Sequence, residues 1–195
     1  MVYNMVFQVD GGCRGNGTTS AIGVAAACLM SKGERCYWTR TRSLDEHDDH
    51  RPTSQRAEIL AMIIALEWAL EKYGDLNGTP RLNVKIYSDS RYAVGCMDEW
   101  IYRWSRNGWR NSRGSEIANR CLIQEASHLD DLVRNLGSVQ YIHVPREENQ
   151  LADNACNKAL DELDSDNDLI DSDMSDDNSV DYDMSDDNSI DSDTS

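Results

Sequence analysis

Residues 2–9 interleave apolar and polar side chains with the two-residue period of a half-buried strand. The run Gly11-Gly12-Cys13-Arg14-Gly15-Asn16-Gly17 reads as a turn, and Ala21–Cys28 as a second strand of small residues. Arg35–Arg42 is predicted to be a third strand, because Tyr37, Trp38 and Thr39 favour a pleated surface. The polar stretch Asp45–His50 reads as a solvated loop. From Ser54 to Tyr73 the period changes, and Ala57, Leu60, Ala61, Ile64, Ala65 and Trp68 share one helical face. Ser54 is the expected N-cap and Gly74 the expected stop. Leu82–Tyr87 returns to a strand pattern. A helical stretch from Arg91 leads into Trp100, Trp104 and Trp109, and another helix covers Ser115–Leu136. A short strand at Val139–Val144 and a last helix over Gln150–Leu163 complete the pattern. Three strands followed by helix–strand alternation predict an α/β domain with a mixed sheet.

Charge divides the chain in two. All 19 Lys and Arg fall within residues 1–160, with 20 of the 35 Asp and Glu, so this body is nearly neutral. The other 15 acids crowd into residues 161–195 and account for almost all of the net charge of −16. There Asp173–Tyr182 is followed by the near-identical Asp183–Ser192, a repeat too polar to offset the entropy of ordering. The expectation is one domain over 1–160 and a disordered acidic tail over 161–195. The tail is read as a solubilising extension; the sharper alternative is that it contacts a basic partner or the protein's own basic patch. Six cysteines without a CxxC pair suit reduced thiols rather than a disulfide or zinc framework. No targeting signal is seen and no run approaches the ~20 apolar residues of a membrane span, so the expectation is cytoplasm or nucleus, no membrane, and a monomer.

Four acids stand where a metal-dependent nuclease would need them. Asp10 ends the run Val6-Phe7-Gln8-Val9, Asp89 ends Leu82–Ser88, Glu58 opens the long helix and Asp153 opens the last one. Carboxylates sharing one pocket would repel each other unless a hard cation neutralised them. Arg103, Arg106, Arg110 and Arg113 surround Trp100, Trp104 and Trp109, a basic aromatic patch suited to phosphate and sugar contact. Trp100 and Trp104, four residues apart, equally suit a core. His47, Asp48, Asp49 and His50 read better as a mixed-charge loop than as a metal site.

Residues 5–160 resemble type 1 ribonuclease H. The resemblance rests on Val9-Asp10-Gly11-Gly12-Cys13-Arg14-Gly15-Asn16-Gly17, Thr53-Ser54-Gln55-Arg56-Ala57-Glu58, Tyr87-Ser88-Asp89-Ser90, the segment Trp100–Trp109, and Ala152-Asp153, in that order. It implies a five-stranded mixed sheet flanked by helices and hydrolysis of the RNA strand of RNA–DNA hybrids. It further implies two Mg²⁺ ions, with Mn²⁺ as a substitute, about 4 Å apart on either side of the phosphorus. By resemblance Asp10 bridges the ions, and Glu58, Asp89 and Asp153 complete their shells. Cys13, Gly15, Asn16 and Gln55, with Glu58, would read the hybrid's minor groove. Arg51, Thr53 and Asn119 would form a DNA phosphate pocket, and Trp100, Trp104 and Ser112 would follow the DNA backbone.

The chain departs from the family pattern in places. Ser54 replaces the usual Asn. The loop His143–Asp153 lacks the mobile histidine often found there, and Arg146 or Glu147 is the candidate to take part of its role. The family's separate N-terminal hybrid-binding module is not expected, since the catalytic strand begins at residue 5. These departures motivate two alternatives: a hybrid-binding module with weak or lost catalysis, and another nuclease of the same fold such as a junction resolvase.

Overall fold

In the computed structural model, residues 1–16, 18–30, 36–44 and 50–173 are described, with side chains for all of these except 36, 37 and 166–173. Five strands, β1 (Val2–Arg14), β2 (Ile22–Met30), β3 (Cys36–Ser43), β4 (Arg81–Ser88) and β5 (Gly137–His143), form one sheet in the order β3-β2-β1-β4-β5. The β3–β2 and β2–β1 pairs are antiparallel, and β1–β4 and β4–β5 are parallel. The helices are α1 (Ser54–Gly74), α2 (Arg91–Gly95), α3 (Ile101–Trp104), α4 (Arg120–Leu136) and α5 (Gln150–Asp173). A wide π turn at Cys96–Trp100 joins α2 to α3, and a 3₁₀ turn at Arg146–Glu148 precedes α5. The mixed five-stranded sheet flanked by helices is the architecture expected from sequence.

Helices cover both faces of the sheet, and this is what buries its centre. On one face α1 lies against β1 and β2, and α4 packs beside it and against β5. Helix α1 is therefore buried almost all round, Ile59, Met62, Ile63 and Leu66 included, rather than along the single face its spacing suggests. On the other face α5 packs on β2 and β1, and Cys156 and Leu160 close a smaller cluster with Val24 and Ala26. Small residues on β2 make room for both helices.

Several boundaries differ from expectation for local reasons. Strand β1 runs on through the glycines to Arg14, because Gly11, Gly12 and Cys13 pair with Ala25, Val24 and Gly23 of β2. The N-cap of α1 is Thr53, whose hydroxyl accepts from the Arg56 N–H at 3.3 Å, rather than Ser54. Gly74 is the last residue of α1, and Asp75 caps it. Helix α4 starts at Arg120 instead of Ser115. Gly108, Trp109, Gly114 and Asn119 all take positive φ, which no helix tolerates, and Arg110 bridges Glu116 across the intervening turn. The last helix continues past Leu163 to Asp173. Arg35, Gly17, residues 45–49 with His47, Asp48 and Asp49, and the acidic repeat from 174 onward lie outside the described residues.

Candidate active site

The parallel register of β1 on β4 ends with Gln8 opposite Tyr87. Two residues further along each strand stand Asp10 and Asp89, so the pairing delivers both acids to the same end of the sheet. Ser88, fully buried, accepts the Ser90 N–H at 3.0 Å and turns the chain at Asp89. Gly11 brings in the third acid. A Cβ at Gly11 would collide with the backbone of Ala57 and Glu58, so glycine alone lets α1 press against β1 there. Carboxylate oxygens of Asp10, Glu58 and Asp89 then lie within 4.8 Å of one another.

Burial and mutual repulsion dominate the electrostatics of this group. Asp10 is 8% exposed, and its carboxyl is pushed up to about 6 by desolvation first and then by Asp89 and Asp153. Glu58 is pushed up to about 9 by desolvation, with Asp10 and Asp89 adding to it. The Gly11 N–H and the Arg146 charge oppose both shifts. One oxygen of Glu58, Oε2, is buried without a hydrogen-bond partner. Three crowded carboxylates, all oxygen donors and one with an unsatisfied buried oxygen, fit a hard divalent cation such as Mg²⁺.

Asp153 sits beside this group rather than within it. Its carboxylate pairs with Arg146 and accepts from Asn157 Nδ2 at 3.1 Å. Its charge nevertheless reaches Asp10. Arg146, in the 3₁₀ turn where the resemblance anticipates a histidine, supplies the positive charge of this corner, whereas Glu147 is exposed. Two neighbours of the site carry no motif signal. Gln8 Nε2 donates to the Glu148 carbonyl at 2.8 Å, and the fully buried Asn149 donates through Nδ2 to the Val9 carbonyl at 2.9 Å and to Asp89 Oδ1 at 3.1 Å. Asn149 reads from sequence only as a residue preceding a helix.

The residues expected to bind substrate fall into two groups. Cys13 lies near the end of β1, and Gly15 and Asn16 occupy the β1–β2 turn, where Gly15 has φ 61° and Asn16 is exposed. Arg14, between them, is tied to α5 by ion pairs with Asp161 and with Asp164, the latter at 2.8 Å. At the start of α1, Arg51 and Gln55 are exposed and Thr53 serves as the cap. Asn119, at φ 59°, donates to the Tyr92 hydroxyl at 3.2 Å. The Tyr92 ring lies 6.1 Å from Trp100, which lies 5.6 Å from Trp104, so Asn119 and both tryptophans form one connected surface. Trp100 and Trp104 are partly buried against the core, and Gly95 leaves room for the Trp100 ring. They serve the core and the surface at once. Ser112 and the four arginines Arg103, Arg106, Arg110 and Arg113 are exposed. The five described free cysteines, Cys13, Cys28, Cys96, Cys121 and Cys156, form no disulfide, and no described helix is long and apolar enough to cross a membrane.

Comparison with known proteins finds relatives along most of the chain. The RNase H family model matches residues 3–161. A ribonuclease H of Francisella philomiragia is 30% identical over 160 residues, covering 82% of this chain and 93% of its own. One from Nitrosomonas eutropha is 37% identical over 123 residues, 63% of this chain and 67% of its own. Among solved structures, a foamy viral protease-reverse transcriptase in complex with an RNA/DNA hybrid shares the fold. Its TM-score is 0.61 at 21% identity, covering 79% of this chain and 19% of that one.

Proposed function

The chain belongs to the RNase H family and is a ribonuclease H, and from that premise we propose that it hydrolyses the RNA strand of RNA–DNA hybrids with two divalent ions. The observation that carries the proposal is the cluster of Asp10, Glu58 and Asp89, whose oxygens lie within 4.8 Å of one another. With Asp153, these residues would hold two Mg²⁺ ions, Mn²⁺ being the natural substitute. When bound, the ions would supply an activated water and stabilise the departing 3′-oxygen. No side chain attacks the phosphorus.

The protein's own groups hold and orient. The Gly11 N–H favours the charged forms of the Asp10 and Glu58 carboxyls, and Arg146 holds Asp153. Cys13, Gly15, Asn16 and Gln55 would meet the minor groove, where 2′-hydroxyls distinguish RNA from DNA. Thr53 accepts the Arg56 N–H, which leaves its O–H to donate to a phosphate beside Arg51 and Asn119. Trp100, Trp104 and Ser112, with the neighbouring arginines, would follow the DNA backbone.

The test is an end-labelled hybrid incubated with Mg²⁺ and the wild-type protein, beside Asp10→Asn and with single-stranded RNA and both homoduplexes as controls. Hybrid-only cleavage of the RNA strand, lost in Asp10→Asn, is expected. Tight hybrid binding without cleavage, in Mg²⁺ and in Mn²⁺, would overturn the enzymatic reading and leave a binding module.

A further inference from the structure

Asn149 stands immediately before α5, with its carbonyl accepting the Asp153 N–H at 3.1 Å. An asparagine there normally accepts a helix N–H through Oδ1 and so caps the helix. Here Oδ1 is buried with no hydrogen-bond partner, so the side chain is not used as a cap. Instead Nδ2 donates to two acceptors on other elements, the Val9 carbonyl at the end of β1 and the Asp89 carboxylate after β4. Flipping the amide would set an oxygen against both acceptors, so its orientation is fixed. The side chain is wholly buried. A buried polar group that gives up its local partner is expensive to keep unless it serves another purpose.

Resting on the reading of these carboxylates as a cation site, we propose that Asn149 is a positioning residue that orients Asp89, and sets Asp153 through the helix start, for cation binding. One amide touches the residue before Asp10, the carboxylate of Asp89 and, through its backbone, the turn that presents Asp153. It thereby locks three of the four acids from outside their cluster. Gln8 is the matched control: its Nε2 ties the same 3₁₀ turn to β1 through the Glu148 carbonyl, a backbone acceptor rather than a carboxylate.

The experiment uses the full chain and titrates Mn²⁺ by calorimetry into wild type, Asn149→Ala, Asn149→Asp and Gln8→Met, without substrate. Hybrid affinity in EDTA is measured alongside by fluorescence anisotropy. Mn²⁺ affinity is expected to fall at least ten-fold in both Asn149 variants and to stay within two-fold in Gln8→Met, while metal-free hybrid affinity changes less than two-fold. A folded Asn149 variant that binds Mn²⁺ like wild type overturns the proposal, as does a wild type that binds no Mn²⁺. Should the Asn149 variants fail to fold, the side-chain amide protons of Asn149 are followed by NMR in wild type and Asp89→Asn. A shift of one proton on neutralising Asp89 is expected, and unchanged resonances overturn the proposal. Mn²⁺ binding by wild type without hybrid cleavage would count against the enzymatic reading alone.

Discussion

Replacing Asp10 by Asn should make the metal-free protein more stable, although it removes a residue at the centre of the site. The Asp10 carboxyl moves from 3.8 to about 6 on folding, so the folded state holds its proton more tightly than the unfolded chain does. Stability is therefore fullest below pH 3.8 and falls as pH rises through about 6, above which ionisation is complete in both states. At about 1.4 kcal/mol per unit, the loss at neutral pH is about 3 kcal/mol. Asparagine never ionises and escapes it, and the Gly11 N–H is already counted in the shift because it lowers the Asp10 pKa. A net gain of about 2–3 kcal/mol is expected for Asp10→Asn in EDTA at pH 7.5. Urea unfolding followed by tryptophan fluorescence measures it, and at pH 4 the advantage should largely disappear. Adding Mg²⁺ should invert the order, because only the intact cluster gains binding energy from the ion. An Asp10→Asn protein no more stable than wild type in EDTA at pH 7.5 would refute the reasoning, since the acids would then be neither desolvated nor repelling.

Other consequences are equally direct. Gly11→Ala should destabilise by about 3 kcal/mol or more in urea unfolding, because its methyl group meets the α1 backbone, which cannot rotate away. Asp130 is fully buried and accepts from the Tyr141 hydroxyl at 2.8 Å and from Arg134 Nε at 2.7 Å. Asp130→Ala should therefore cost about 3–5 kcal/mol, while Tyr141→Phe should cost only about 1–2 kcal/mol, by the same assay. Asp161→Asn with Asp164→Asn frees Arg14 at the end of β1, so hybrid affinity should rise severalfold at 50 mM salt, roughly the effect of one added phosphate contact. The gain should vanish at high salt in an anisotropy titration.

Strands, sheet type and the two main helices were legible because hydrophobic period and turn residues act locally. The four acids were legible because each ends a strand or begins a helix. Their grouping was implied by the resemblance alone, because Asp10, Glu58 and Asp89 meet through a strand register and one glycine contact, while Asp153 pairs with Arg146 beside them. The start of α4 was misplaced because Trp109 and Asn119 take left-handed backbone that their identities do not announce. Asn149 stayed hidden because its partners, Val9 and Asp89, lie 140 and 60 residues away.

The register that sets Asp10 level with Asp89 also fixes when the site comes into being. Paired residues of the two strands lie 79 positions apart in sequence, with all of α1 between the strands, so their pairing demands an expensive loop closure. Before that closure Asp89 is not held beside Asp10 and Glu58, and the cluster that would gather a cation is incomplete. The ion therefore acts on the finished protein: Mg²⁺ should slow the unfolding limb of a chevron and leave the refolding limb almost unchanged. Cation binding in this fold is a lock applied after assembly, and contributes nothing to the search that precedes it.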